Sequence, residues 1–202
     1  MPDSSSVDPY DYWHRRLSST SDWLVLSGDL DPVRSRAEAQ IRQWRRAGIT
    51  SILDLRIEWT DEDLVREIAP ELSYWHVGAD DDGNPRDDAW FDAGLGAWRD
   101  AMTNPHARVL VHCHMGINRG PSMGFRLMLA KGDAPLAALD AIRRSRPIAG
   151  LAYAADALDH HHRSVGTRPA VRERELEQLA TWMRSQGIDL DTVVRRLRTR
   201  IS

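Results

Sequence analysis

Cysteine and lysine are nearly absent from this 202-residue chain, which holds one of each, Cys113 and Lys131. A single cysteine excludes an internal disulfide and points to a reducing compartment, the cytoplasm, where a free thiolate survives. Every other basic position apart from histidine is arginine, which carries no functional reading. No apolar run is long enough to cross a membrane, and there is no internal repeat or low-complexity tract. Residues 1–6 are polar and acidic, not basic and then apolar, so a secretory leader is not expected. A net charge of −3 offers no global field for nucleic acid or an anionic membrane, and neither is expected as a partner. The length suits one domain with a proper core.

What is present is an alternation of short apolar runs and amphipathic stretches. Residues 23–26 and 74–77 have the pattern of short strands, and 49–55 that of a longer one rich in β-branched side chains. The run 108–112 is apolar enough to be a strand buried on both faces. Ala37, Ile41 and Trp44 share one face of a helix over 35–47 that Gly48 closes. Thr60, followed by Asp61, Glu62 and Asp63, caps a short helix that Pro70 ends. The stripe of Phe91, Leu95, Trp98 and Met102 predicts a helix over 88–103. Further helices are expected over 120–130, 134–145 and 151–161, then a hinge at 164–169 and two amphipathic helices at 170–185 and 190–200. Such alternation implies an α/β fold. Its centre would be a mainly parallel sheet of four or five strands with helices on both faces.

In sheets of this kind ligands bind beyond the carboxyl ends of the strands. The 108–112 strand ends at His112 and runs into Cys113. Five residues, His114, Met115, Gly116, Ile117 and Asn118, separate the thiol from Arg119, and a helix-forming segment follows. That order sets sulfur at the floor of a loop of N–H groups, against the positive end of a helix and facing a guanidinium. Each feature lowers a thiol's pKa, and each binds a tetrahedral dianion. A lone cysteine at a strand end is often just a small core hydrophobe. That reading leaves the spaced arginine and the helix start unexplained. A second cluster, Asp80, Asp81 and Asp82, offers three carboxylates for proton transfer. Beside Gly83 and Pro85 it reads equally well as a solvated turn.

The run from Val111 through His112, Cys113 and Gly116 to Arg119 resembles the H-C-x-x-G-x-x-R signature of the dual-specificity branch of the cysteine-dependent protein phosphatases. The likeness extends over about 26–158 and includes "SGDL", "GITSILDLR" and "RVLVHC". It implies an arm over 1–21, a phosphatase domain over 22–163 and a helical extension over 164–202 packed on the same domain. That extension would either buttress the domain or pair with another copy; the oligomeric state is left open. The resemblance also implies a phosphate monoester hydrolase that works without metal or cofactor. Cys113 would attack phosphorus and form a phosphocysteine. Arg119 would clamp two oxygens in bidentate fashion, and N–H groups from His114 to Arg119 would hold the rest. His112 would orient the loop through ring hydrogen bonds. The family's register puts the general acid at Asp81, with Asp82 next in line. The substrate would be a phosphorylated protein or a small phosphorylated molecule. A lipid head group is disfavoured, because the loop lacks the lysines of phosphoinositide-directed relatives.

Two positions depart from the pattern. Gly120 stands where the family has serine or threonine, and Asn118 where a small serine is common. Slow breakdown of the phosphocysteine is therefore expected, relieved by Ser122 or Asn118. Arg146 of the Arg146-Pro147-Ile148 segment would hold a second acidic group of the substrate, whereas Arg143 and Arg144 read as a solvated helix end. Trp59 and Trp90 rim the cleft or belong to the core. The 159–162 run, Asp-His-His-His, has little metal-ligand character, since adjacent helical histidines diverge. A rhodanese-like sulfurtransferase and a catalytically weakened phosphate-binding module are the alternatives. The first has a loop one residue shorter and needs no neighbouring aspartate.

Overall fold

The computed structural model describes residues 9–187. In chain order the elements are α1 (Pro9–His14), β1 (Ser18–Ser19), β2 (Leu24–Ser27), α2 (Arg34–Arg46), β3 (Ser51–Arg56), α3 (Glu62–Ile68) and β4 (Ser73–Ala79). Then follow α4 (Asp88–Ala101), β5 (Val109–His112), α5 (Arg119–Lys131), α6 (Pro135–Ser145), α7 (Ala154–Val165) and α8 (Pro169–Ser185). The strands form one sheet in the order β1-β2-β5-β3-β4; only β1 is antiparallel to its neighbour.

Alternation along the strands builds two cores, because successive side chains leave opposite faces of a sheet. Val25, Ile52 and Leu110 point to one face and pack with Ala37, Ile41 and Trp44 of α2 and Val65 of α3. Leu24, Leu26, Leu53, Val109 and Val111 point to the other. There they meet Phe91 and Leu95 of α4 and Met123, Phe125 and Leu127 of α5. Helix α5 is buried along most of its length, as an α-helix at the centre of a layer must be. It ends on Gly132 at φ 105°, a left-handed closure that glycine adopts without strain.

The expected α/β class holds: a mostly parallel five-stranded sheet with helices on both faces. The short helix near Thr60 starts one residue later than anticipated. Its N-cap position is Asp61, while the Thr60 hydroxyl accepts the Glu62 N–H at 3.2 Å. The arm contributes more than a helical turn, because β1 adds a strand beside β2. Of the two C-terminal helices, α8 matches the first; the second, at 190–200, lies outside the described residues. Among the described residues no helix is long and apolar enough to cross a membrane.

Candidate active site

Strand β5 is central, so the loop after His112 emerges between β2 and β3 at the carboxyl edge of the sheet. Its carbonyls are turned outward and held there. His114 O accepts from the Asp29 N–H at 3.0 Å and from His14 Nε2 at 3.0 Å. Met115 O and Gly116 O accept from Arg146, and Ile117 O accepts the N–H groups of Gly150 and Leu151. A peptide whose carbonyl faces out presents its N–H inward, and the N–H groups of Gly116 and Gly120 face the Cys113 sulfur. Gly116 is at φ 65°, and a Cβ there would meet Arg146 Nη2 at 2.3 Å and Ser27 O at 2.5 Å. Backbone angle and space both require glycine at this position.

Arg119 starts α5 beneath the loop and is 1% exposed. Glu58, which the sequence reading did not single out, takes the end of its guanidinium in a two-point contact. Nη1 reaches Oε2 at 2.9 Å and Nη2 reaches Oε1 at 2.8 Å. Nη1 also donates to Ala79 O at 2.7 Å. Partial burial works against the Glu58 carboxylate, but the Arg119 hydrogen bonds, its own backbone N–H and the Arg119 charge together hold its pKa below the usual value. Among the described residues Nε has no hydrogen-bond partner, and it lies 3.8 Å from Asp81 Oδ2. The Nε edge, together with the second Nη2 hydrogen, is the part of the fork left for an oxyanion.

The three aspartates separate cleanly. Asp80 offers its carbonyl to Arg86, and Asp82 is taken up by Asn84 and Arg86 within its own turn. Asp81 turns toward the loop. Its Oδ1 accepts Asn118 Nδ2 at 3.3 Å and the Tyr153 hydroxyl at 2.7 Å. Cys113, Arg119 and Asp81 are thereby brought together from a strand end, a helix start and a separate loop. A cavity of about 430 Å³ opens against His114, with Trp59, Leu64, Asp29 and Arg15 in its walls; Cys113, Arg119 and Asp81 do not line it. Trp59 is 46% exposed and sets its ring edge to His114, whereas Trp90 is buried and donates to Val77 O.

Several expectations are corrected. Neither ring nitrogen of His112 has a hydrogen-bond partner among the described residues; Nε2 is 3.8 Å from Asp54 and the ring packs against Trp44. Burial pulls its pKa down, so the ring is a neutral packing group and not a hydrogen-bonding orienter of the loop. Ser122 Oγ accepts the Tyr153 N–H at 3.1 Å, an engagement that leaves its own hydroxyl proton free to donate. Arg146 is fully buried and spends its donors on Gly116 O, Met115 O, His14 O, Arg16 O and Ser18 Oγ, so it braces the loop and meets no substrate. His160 joins Arg126 to Asp92. Among the described residues no group of His, Cys, Asp or Glu side chains is arranged to hold a metal ion.

The thiol also departs from expectation. Cys113 is 1% exposed, and burial pushes its pKa up. Arg119 and the N–H groups of Gly120 and Gly116 pull it down, while the Asp81 charge adds to the rise. The expected downward influences are present, but desolvation exceeds them.

No family model matches the chain, and no curated protein matches its sequence. Solved structures do match its fold. Human DUSP28 aligns with a TM-score of 0.61 at 17% identity, over 76% of this chain and 100% of that one. The human tyrosine phosphatase-like serine/threonine/tyrosine-interacting protein aligns at 0.59 and 13% identity, over 75% and 99%. PTPMT1 in complex with PI(5)P aligns at 0.57 and 14% identity, over 76% and 97%. The fold is that of the dual-specificity and tyrosine phosphatases.

Proposed function

We propose that the protein hydrolyses phosphate monoesters through a phosphocysteine, acting on phosphorylated proteins or small phosphorylated molecules in a reducing, cytoplasmic setting. The observation that carries this reading is the convergence of Asp81, from its own loop, on Asn118 and Arg119 beside Cys113. In the first step sulfur attacks phosphorus, the bond from phosphorus to the ester oxygen breaks, and Asp81 gives that oxygen its proton. In the second, water attacks phosphorus, Asp81 takes its proton, and the thiolate leaves with release of inorganic phosphate. Arg119 binds the equatorial oxygens through its Nε edge while Glu58 holds the other end in place.

A raised thiol pKa is compatible with this chemistry: Asp81 must carry a proton to act as the acid, and that proton removes one of the influences that raise the thiol.

Turnover of p-nitrophenyl phosphate tests the reading. The protein is expected to hydrolyse it, to be inhibited by vanadate, and to lose at least about a thousandfold of its rate in Cys113→Ser. Hydrolysis that survives Cys113→Ser, or sulfur transfer from thiosulfate, would overturn it. Gly120 and the buried thiol favour one second reading, a phosphate-binding module. Tight phosphopeptide binding without cleavage would identify it.

A further inference from the structure

Asp81 is held by more than the loop it faces. Tyr153 lies just before α7, after a turn in which Leu151 stands at φ 55°, the one non-glycine positive φ among the described residues. The turn is tied to the signature loop through Gly150 N and Leu151 N on Ile117 O, and to α5 through Tyr153 N on Ser122 Oγ. The Tyr153 hydroxyl donates to Asp81 Oδ1 at 2.7 Å and accepts the Gly83 N–H at 3.2 Å. The Arg86 guanidinium lies over its ring at 4.9 Å, and the Arg86 N–H donates to Asp156 of α7 at 2.9 Å. The loop that carries Asp81 is therefore fastened to α7 at Asp81, Gly83 and Arg86. Burial, and then the Asp81 charge, push the phenol's pKa above its ordinary value, so the hydroxyl keeps its proton.

The consequence is chemical as well as mechanical. Both donors to Asp81, the Tyr153 hydroxyl and Asn118 Nδ2, address Oδ1. A proton on Oδ1 would confront one of these donors, whereas Oδ2, 3.8 Å from Arg119 Nε, accepts neither. We propose that Tyr153 is a positioning residue for catalysis: it fixes the Asp81 carboxyl so that Oδ2 carries the transferable proton, on the side where Arg119 holds the substrate. This rests on Asp81 being the general acid. A residue that only filled the core would affect all substrates alike. One that aims the acid affects a substrate in proportion to the help its leaving group needs.

The test compares kcat/KM for p-nitrophenyl phosphate, whose leaving group needs little protonation, with phenyl phosphate, whose leaving group needs much. Because kcat/KM reports steps up to phosphocysteine formation, slow breakdown of the intermediate does not mask the effect. Tyr153→Phe keeps the ring and removes the hydroxyl. It is expected to cost about tenfold more on phenyl phosphate than on p-nitrophenyl phosphate, as loss of part of general-acid catalysis requires. The same change made in Asp81→Asn is expected to add no further discrimination, since there is then no acid to aim. Equal losses on both substrates, or no loss on either, would overturn the role of Tyr153. If Asp81→Asn itself shows no leaving-group dependence, what fails is the assignment of the acid.

Discussion

Gly120 stands where the phosphatase signature that the sequence resembles carries serine or threonine, and the structure leaves room for a side chain there. A Cβ at Gly120 would sit 3.6 Å from Cys113 Sγ, Cys113 N and Val111 O, which is ordinary contact. A serine hydroxyl there can donate to the departing sulfur and stabilise it as a thiolate. Gly120→Ser is expected to raise kcat several-fold with kcat/KM little changed, and to shrink any burst of p-nitrophenol in rapid-mixing kinetics. A fall in kcat would mean that breakdown of the intermediate is not what limits turnover. At this scale the loop from Cys113 to Arg119 stood out in the sequence because it is contiguous, whereas Asp81 was singled out only through the register of the family it resembles. Glu58 and Tyr153 were not legible. Glu58 meets Arg119 from the end of another strand, and Tyr153 meets Asp81 across 72 positions of sequence. No local pattern records such meetings.

Among the elements, the turn between α6 and α7 carries a buried cation that looked from sequence like a substrate ligand. A basic residue after a helix has the same local appearance whether it faces solvent or the interior, and only tertiary packing decides between them. Here the Arg146 fork gathers carbonyls from the arm and the signature loop. Burial lowers its pKa to about 10, which leaves it charged at neutral pH. Arg146→Met should therefore strand several carbonyls and relax the loop they belong to. Roughly 3 kcal/mol of stability is at stake when a buried charged hydrogen-bonding partner is removed. A fall of about 6–12 °C in melting temperature is expected for a domain of this size. Vanadate affinity should weaken as well, because the loop's N–H groups lose their fixed direction; a variant of normal affinity would show that the loop orients itself. Periodicity located every strand except β1, whose Ser18–Ser19 pairing has no apolar residue to announce it.

Across the whole molecule, the side of the sheet that carries α4 to α8 is thicker than the side that carries α2 and α3, and α8 is its outermost layer. Its anchor is Leu179 and Trp182, both buried, with Trp182 Nε1 donating to Asp140 of α6 at 2.8 Å. Glu175 faces His162 of α7, and Arg172 pairs with Asp159. These contacts meet α7 along its body and last turn, whereas the site uses the residues just before its first turn. The amphipathic pattern of α8 announced a packed helix, but only the structure identifies α6 and α7 as its partners. Truncating a large buried aromatic costs about 3–5 kcal/mol, so Trp182→Ala should lower the melting temperature markedly. Catalysis should respond differently. Neither the signature loop nor the Asp81 loop touches α8 through these contacts, so kcat/KM of the folded variant, measured well below its transition, should stay within about twofold of the parent. A large loss of kcat/KM in a fully folded Trp182→Ala protein would instead show that α8 sets the position of α7, and through Tyr153 the aim of Asp81.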